Sequence, residues 1–194
     1  MALEQPIRLD EINEIDTPRV GQKSAFHRRV GFSFWLSCDP SAYAKSWQRA
    51  GCKNREIDAA LRDQTTKLGA PKIDGKNAVG GRDAPALYFG STKMNNNFSV
   101  VDAVAEEGGR GTGATLFVKS SYDYIRVATN VSKRMGSGRG LGTVLTGAPL
   151  ESIKASNTYY GKASILGTPY ISGYEPIKDA SGATIGVYFV GYTK

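Results

Sequence analysis

Six residues in the last third of the chain have the types and spacing to hold a small organic anion. Tyr124 and Arg126 stand two residues apart, Tyr160 and Lys162 likewise, and Tyr170 and Tyr174 four apart. A guanidinium grips a carboxylate through two parallel hydrogen bonds, and an ammonium adds a movable point charge. Phenols supply hydrogen-bonding capacity and apolar walls in one residue type. The other residues in step with them, Asn130, Ser164 and Ser172, are polar and uncharged, so no carboxylate interrupts the set. An antiparallel sheet face exposed to water is the alternative reading of such a pattern. A solvated face usually mixes both charge signs, and this one carries only positive charge.

The spacing of two requires strands. Ala114 to Lys119 and Asp123 to Asn130 are rich in β-branched and aromatic residues and are separated by Ser120-Ser-Tyr122, which predicts a hairpin. Thr158 to Leu166 and Thr168 to Ile177, joined at Gly167, predict a second. Thr184 to Thr193 follows the turn-forming run Lys178-Asp-Ala-Ser-Gly-Ala183. Alternation groups Tyr124, Arg126 and Asn130, then Tyr160, Lys162 and Ser164, then Tyr170, Ser172 and Tyr174 on one face. Opposite them fall Ile125, Val127, Ala163, Ile165, Ile171 and Ile177, which are expected to be core. In the last strand Ile185, Val187 and Phe189 share one side and Tyr188, Val190 and Tyr192 the other.

Five runs carry a resemblance beyond these patterns: Asp123-Tyr-Ile-Arg-Val-Ala-Thr-Asn-Val131, Gly142-Thr-Val-Leu145, Tyr160-Gly-Lys-Ala163, Tyr170-Ile-Ser-Gly-Tyr-Glu-Pro-Ile-Lys-Asp179 and Gly186-Val-Tyr-Phe-Val-Gly191. In order and spacing they are similar to the Cache superfamily, and within it to the Cache 3/Cache 2 fusion group of bacterial sensor ectodomains. The similarity covers residues 55 to 193 and is strongest from residue 112. It implies an α+β, PAS-like fold, with a central antiparallel sheet of about five strands, a long N-terminal helix packed on one face and a ligand pocket on the other. It also implies a periplasmic or extracellular sensor of the kind found in chemoreceptors and histidine kinases. By this resemblance Arg126, Thr129, Lys162, Tyr170 and Tyr174 fall at ligand-contacting positions. Simple alternation puts Thr129 and Arg126 on opposite faces, so uniting them requires a bulge or a strand end.

Upstream, Asp39-Pro40 is a helix-start pair, with a carboxylate cap and proline in the first turn. Tyr43, Trp47, Ala50, Asn54, Ile57, Leu61, Gln64 and Leu68 recur at spacings of four and three and predict one helix over 40–68. The stripe suits packing on the chain's own sheet, and it also permits pairing across a homodimer, as in Cache domains. Cys38 and Cys52 would then lie about 20 Å apart at 1.5 Å per residue, beyond disulfide reach. An intrachain bridge would need a break at Gly51.

The predicted organisation is an irregular arm over 1–38 and a single domain over 39–194, with the sheet mainly over 114–193. Pro6, Pro18 and Gly21 punctuate the arm. His27-Arg-Arg29 ahead of Val30-Gly-Phe-Ser-Phe-Trp-Leu36 has too short an apolar stretch to read as an export signal. An arm this irregular is expected to pack on a protein partner or neighbouring subunit, which gives the second functional reading: an accessory or assembly subunit on the same scaffold.

Several function classes fall away. The chain has 194 residues, 40% hydrophobic, and no apolar run approaches the roughly 20 residues of a membrane-spanning helix. Its net charge of +7 is spread along the sequence, with loose clusters only at Lys23, Arg28 and Arg29 and at Lys133, Arg134 and Arg139. No nucleic-acid-binding motif accompanies them. Two cysteines and one histidine make no zinc pattern, and no other cofactor is indicated. Lone His27 sits far in sequence from the hydroxyls of the sheet, so no catalytic triad can be assembled. Glu106-Glu107 reads as a helix end before Gly108-Gly109, and Asn95-Asn-Asn97 as a loop whose last residue caps a helix. Gly136-Ser-Gly-Arg-Gly-Leu-Gly-Thr143 lacks the Lys-Ser/Thr ending of a phosphate loop and reads as a flexible connection.

Overall fold

Alternation in the last third of the chain builds a sheet with two buried faces. In a computed structural model, residues 45–133 and 138–193 are described, with side chains from Cys52 onward. All belong to the second of two units into which the chain divides, Cys38–Lys194. The arm over 1–38, its expected partner surface and the Asp39-Pro40 helix start lie outside the described residues. Five strands, β4 (Thr112–Ser120), β5 (Asp123–Thr129), β6 (Tyr159–Ile165), β7 (Thr168–Lys178) and β8 (Thr184–Tyr192), pair in the order β5-β4-β8-β7-β6. Every pairing is antiparallel. Thr112 through Val118 of central β4 are all buried.

One face of this sheet carries α1 (Lys45–Thr66) and α2 (Ser99–Glu107). Its core joins Ile57 and Leu61 of α1 and Val101 and Val104 of α2 to Leu116, Val118, Ile177, Tyr188 and Val190 of the sheet. The helix was expected over 40–68 and is found from Lys45, continuous through Gly51; Cys52 is disulfide-bonded. The need for a break at Gly51 followed from a helix reaching back to residue 40. Cys38 and the side chains of Tyr43, Trp47 and Ala50 are outside the described set. Asn54, Ile57 and Leu61 are buried as the stripe requires, but Asp58 and Thr65 join them. Ile57 and Leu61 of the stripe pack on the chain's own sheet, and α1 turns Arg55, Glu56, Arg62 and Asp63 outward.

A second, three-stranded sheet was not anticipated: β1 (Pro71–Val79), β2 (Arg82–Phe89) and β3 (Thr92–Lys93), in that order. Polar Lys72, Asp74 and Lys76 on β1 are exposed and give no legible alternation. Backbone pairing with β2, whose Ala84, Leu87 and Phe89 are core, holds β1 in place. Asn97 does not occupy the helix cap, which is Phe98; its Oδ1 accepts from Ser99 N at 3.2 Å and Ser99 Oγ at 2.9 Å, one residue early.

The other face holds a separate core, Phe117, Tyr124, Val131, Leu145, Ile153, Ile165, Tyr174, Val187 and Phe189, closed by α3 (Ala148–Lys154). Truncating the α1 anchor tests which packing carries stability. Leu61→Ala, at a fully buried site, is expected to lower the unfolding free energy by about 2–5 kcal/mol, read from urea denaturation. A loss below about 0.5 kcal/mol, typical of surface changes, would show that α1 contributes little.

Candidate ligand site

A bulge in β5 decides which residues share the second face. Thr115 pairs with Thr129 and Leu116 with Ala128, but Phe117 pairs with Arg126, so Val127 is extra. Paired residues in an antiparallel ladder point the same way, so Arg126 and Thr129 stand on one face with Tyr124. The condition set by the sequence, a bulge, is met. Tyr170, Ser172 and Tyr174 of β7 share that face, opposite Gly191 and Phe189 of β8.

Tyr160 and Lys162 do not join them as expected. Ile165 pairs with Thr168 across a two-residue turn, so Tyr159, Gly161 and Ala163 face the way Tyr174, Ser172 and Tyr170 do. By register Tyr160, Lys162 and Ser164 start from the α1 face of the sheet, but on this edge strand Lys162 and Ser164 still reach the lining of the cavity described below. On the α1 face Tyr160 Oη donates to Glu175 Oε1 at 2.7 Å, and Arg55 lies over its ring at 5.7 Å. The turn itself carried the missing information: a two-residue connection ties odd positions of β6 to even positions of β7.

Above the second face lies a cavity of about 320 Å³, at the lower end of the range of small-molecule sites. Arg126 and Tyr174 line it, with Tyr159, Leu166, the loop Thr143 to Pro149 and the edge strand around Lys162. Tyr159, Leu166 and the loop were not singled out from the sequence. The loop is held against the free edge of β5: Arg126 N donates to Thr143 O at 2.9 Å, Gly142 N to Arg126 O at 3.0 Å and Leu145 N to Tyr124 O at 2.9 Å. Among the described lining residues none is Asp or Glu.

Arg126 is the chemical centre. It is 4% exposed, lies 5.0 Å from the Phe117 ring, and its Nε and Nη1 have no hydrogen-bond partner. Burial lowers its pKa to about 10, partly offset by Tyr174 and Tyr170, so it is a cation at neutral pH. Burial raises Tyr174 well above the ordinary phenol range, and Tyr124 and Tyr170 are raised for the same reason. All three are protonated at neutral pH and can donate.

The remaining expected contacts are satisfied by protein. Thr129 Oγ1 lies 2.6 Å from Thr115 Oγ1 and accepts from Val131 N at 3.0 Å, both threonines fully buried. Tyr124 is buried in the second core, and half-buried Tyr170 packs edge-on against Phe189. Neither they nor Thr129 lines the cavity. The arrangement is thus one desolvated cation, phenols able to donate and apolar walls.

The glycine-rich connection after β5 is shaped by this cation. Gly140 N donates to Val131 O at 2.9 Å, and Arg139 grips Asp102 of α2 through Nη1 at 2.6 Å and Nη2 at 2.9 Å. A Cβ on Gly140 would stand 2.9 Å from Arg126 Nη1 and press on Leu166 Cδ1.

A family model described as the Cache 3/Cache 2 fusion domain matches residues 56–194. No curated protein matches the chain.

Gly140→Ala is expected to push Arg126 and Leu166 aside, costing about 1–3 kcal/mol as overpacking does, measured by denaturant unfolding. An unchanged midpoint would mean that Arg126 is not held there.

Proposed function

The chain belongs to the Cache 3/Cache 2 fusion domain family of extracytoplasmic small-molecule sensors, and we propose that its cavity takes a small organic anion, a carboxylate. The carrying observation is Arg126: a buried guanidinium with two unpartnered nitrogens beside a cavity whose described lining holds no acid. An unpaired buried charge is costly, and a carboxylate answers both its charge and its fork of donors. Tyr174 flanks it as a donor, Tyr159 as a wall whose hydroxyl is spent on Lys162 O at 3.0 Å, and Lys162 brings a second positive charge to the rim. Thr129, Tyr124 and Tyr170 support the site by packing and buried hydrogen bonding, and Tyr160 serves the other face.

Signalling follows from where β7 runs. Tyr174 lines the cavity, and the next residue, Glu175, reaches the opposite face, where its Oε2 lies 3.1 Å from Arg62 Nη1 of α1. A ligand that binds one setting of β7 more tightly than another shifts the position of α1, because only such a difference moves an equilibrium. The disulfide at Cys52 agrees with an oxidising compartment, where such bonds persist. No helix among the described residues is long and apolar enough to cross a membrane.

Thermal-shift screening of the full chain with short carboxylates and amino acids tests this reading. A ligand at 100 times its Kd stabilises the folded state by about 2.7 kcal/mol, and that shift should vanish in Arg126→Gln. Retention of the full shift by this variant would remove the guanidinium from the site.

A further inference from the structure

On the α1 face of the sheet, away from the cavity, lies a polar cluster that lines no part of the anion site. Asp58 is 0% exposed, and both carboxylate oxygens lack a hydrogen-bond donor, as does Oδ1 of buried Asn54 one turn earlier. Arg62 is the cation between two acids: its Nε lies 3.3 Å from Asp58 Oδ2 and its Nη1 3.1 Å from Glu175 Oε2. Glu175 Oε1 already accepts from Tyr160. The carboxyls of Asp58 and Glu175 thus approach one guanidinium from two sides, and two carboxyl groups brought together this way hydrogen-bond only when one is protonated. Two negative charges sharing one guanidinium, one of them fully out of water, is the arrangement in which a dyad retains a proton.

We propose that Asp58 and Glu175 share one proton and form a latch between α1 and β7, which loosens when that proton leaves. The groups facing the pair are Arg62 and Arg55 from α1, Tyr160 from β6 and Tyr188 from β8. Both phenols stay neutral across the relevant range. Burial raises Tyr188 to about 12, and Thr65 Oγ1 lies 3.0 Å from its hydroxyl; burial and the Glu175 bond raise Tyr160 further. Arg62 is half exposed and cannot compensate both acids fully. This makes the latch a second input to α1, and it converges with the anion signal on the Glu175–Arg62 contact.

The direction of the pH effect follows from burial, which with the nearby Glu175 charge raises Asp58 from 3.8 to about 7. Between these two values the folded chain holds a proton that the unfolded chain has lost, so stability falls as pH rises through this window. Above it the loss is complete and constant.

The experiment is thermal unfolding of the full chain from pH 5 to pH 8, beside Asp58→Asn and Glu175→Gln. Wild type should lose several degrees in Tm across this interval, and Asp58→Asn should show a flatter profile. The wild-type-minus-variant difference removes titrations common to both proteins. Glu175→Gln should move the decline to lower pH by removing the like charge. Amide exchange over residues 54–61, corrected for intrinsic rates, should accelerate at pH 8 in wild type only. An equal slope in wild type and Asp58→Asn, or a carbon-13 carboxyl titration placing Asp58 near pH 4, would overturn the proposal. The titration also decides the matter should the asparagine variant fail to fold.

Discussion

A guanidinium buried beneath a sheet face costs free energy unless something answers its charge, and the second face of this molecule is built around that constraint. Arg126 hangs from β5, whose exposed edge is taken by the loop from Thr143 to Leu145. Gly140 keeps its space open, and Phe117 lies within cation–π distance of the guanidinium. None of these contacts neutralises it. Strands β4 and β5, Gly140 and the loop from Thr143 hold one cation dry and short of hydrogen-bond acceptors.

Much of this was legible in the chain. The five strands of the large sheet follow period-two patterning, and their bounds differ from expectation by one or two residues. Face assignment was harder, because alternation gives relative phase within a strand but not between strands. The Leu166-Gly167 turn reverses the phase of β6, carrying Tyr160 and Lys162 to the α1 side. The bulge at Val127 brings Thr129 beside Arg126, something periodicity alone argues against and family resemblance implied. The small sheet escaped because β1 is polar along most of its length and is held by backbone pairing. The loop from Thr143 to Pro149 escaped because its contribution to the cavity arises from hydrogen bonds to β5, which no pattern in the loop itself reveals. Asp58 would be read from sequence as a solvated helix residue; only its position opposite β7 makes it buried.

The two faces of the sheet have different chemistry and share one element. β7 is long, eleven residues, and passes from the cavity to α1 within a single peptide step at Tyr174-Glu175. The contrast between the sides is instructive. One buries a cation with no anion, the other an excess of acid around one arginine. Each imbalance is of a kind that something small and exchangeable can answer, which is the ground for the two proposals made above.

The Thr115–Thr129 pair ties the register of β5 to burial. Their hydroxyls meet at 2.6 Å inside a region closed to water. A one-residue slip of β5 along β4 would separate them, and a buried hydroxyl without a partner is costly. The register that keeps both oxygens bonded is also the one that places Arg126 at the cavity.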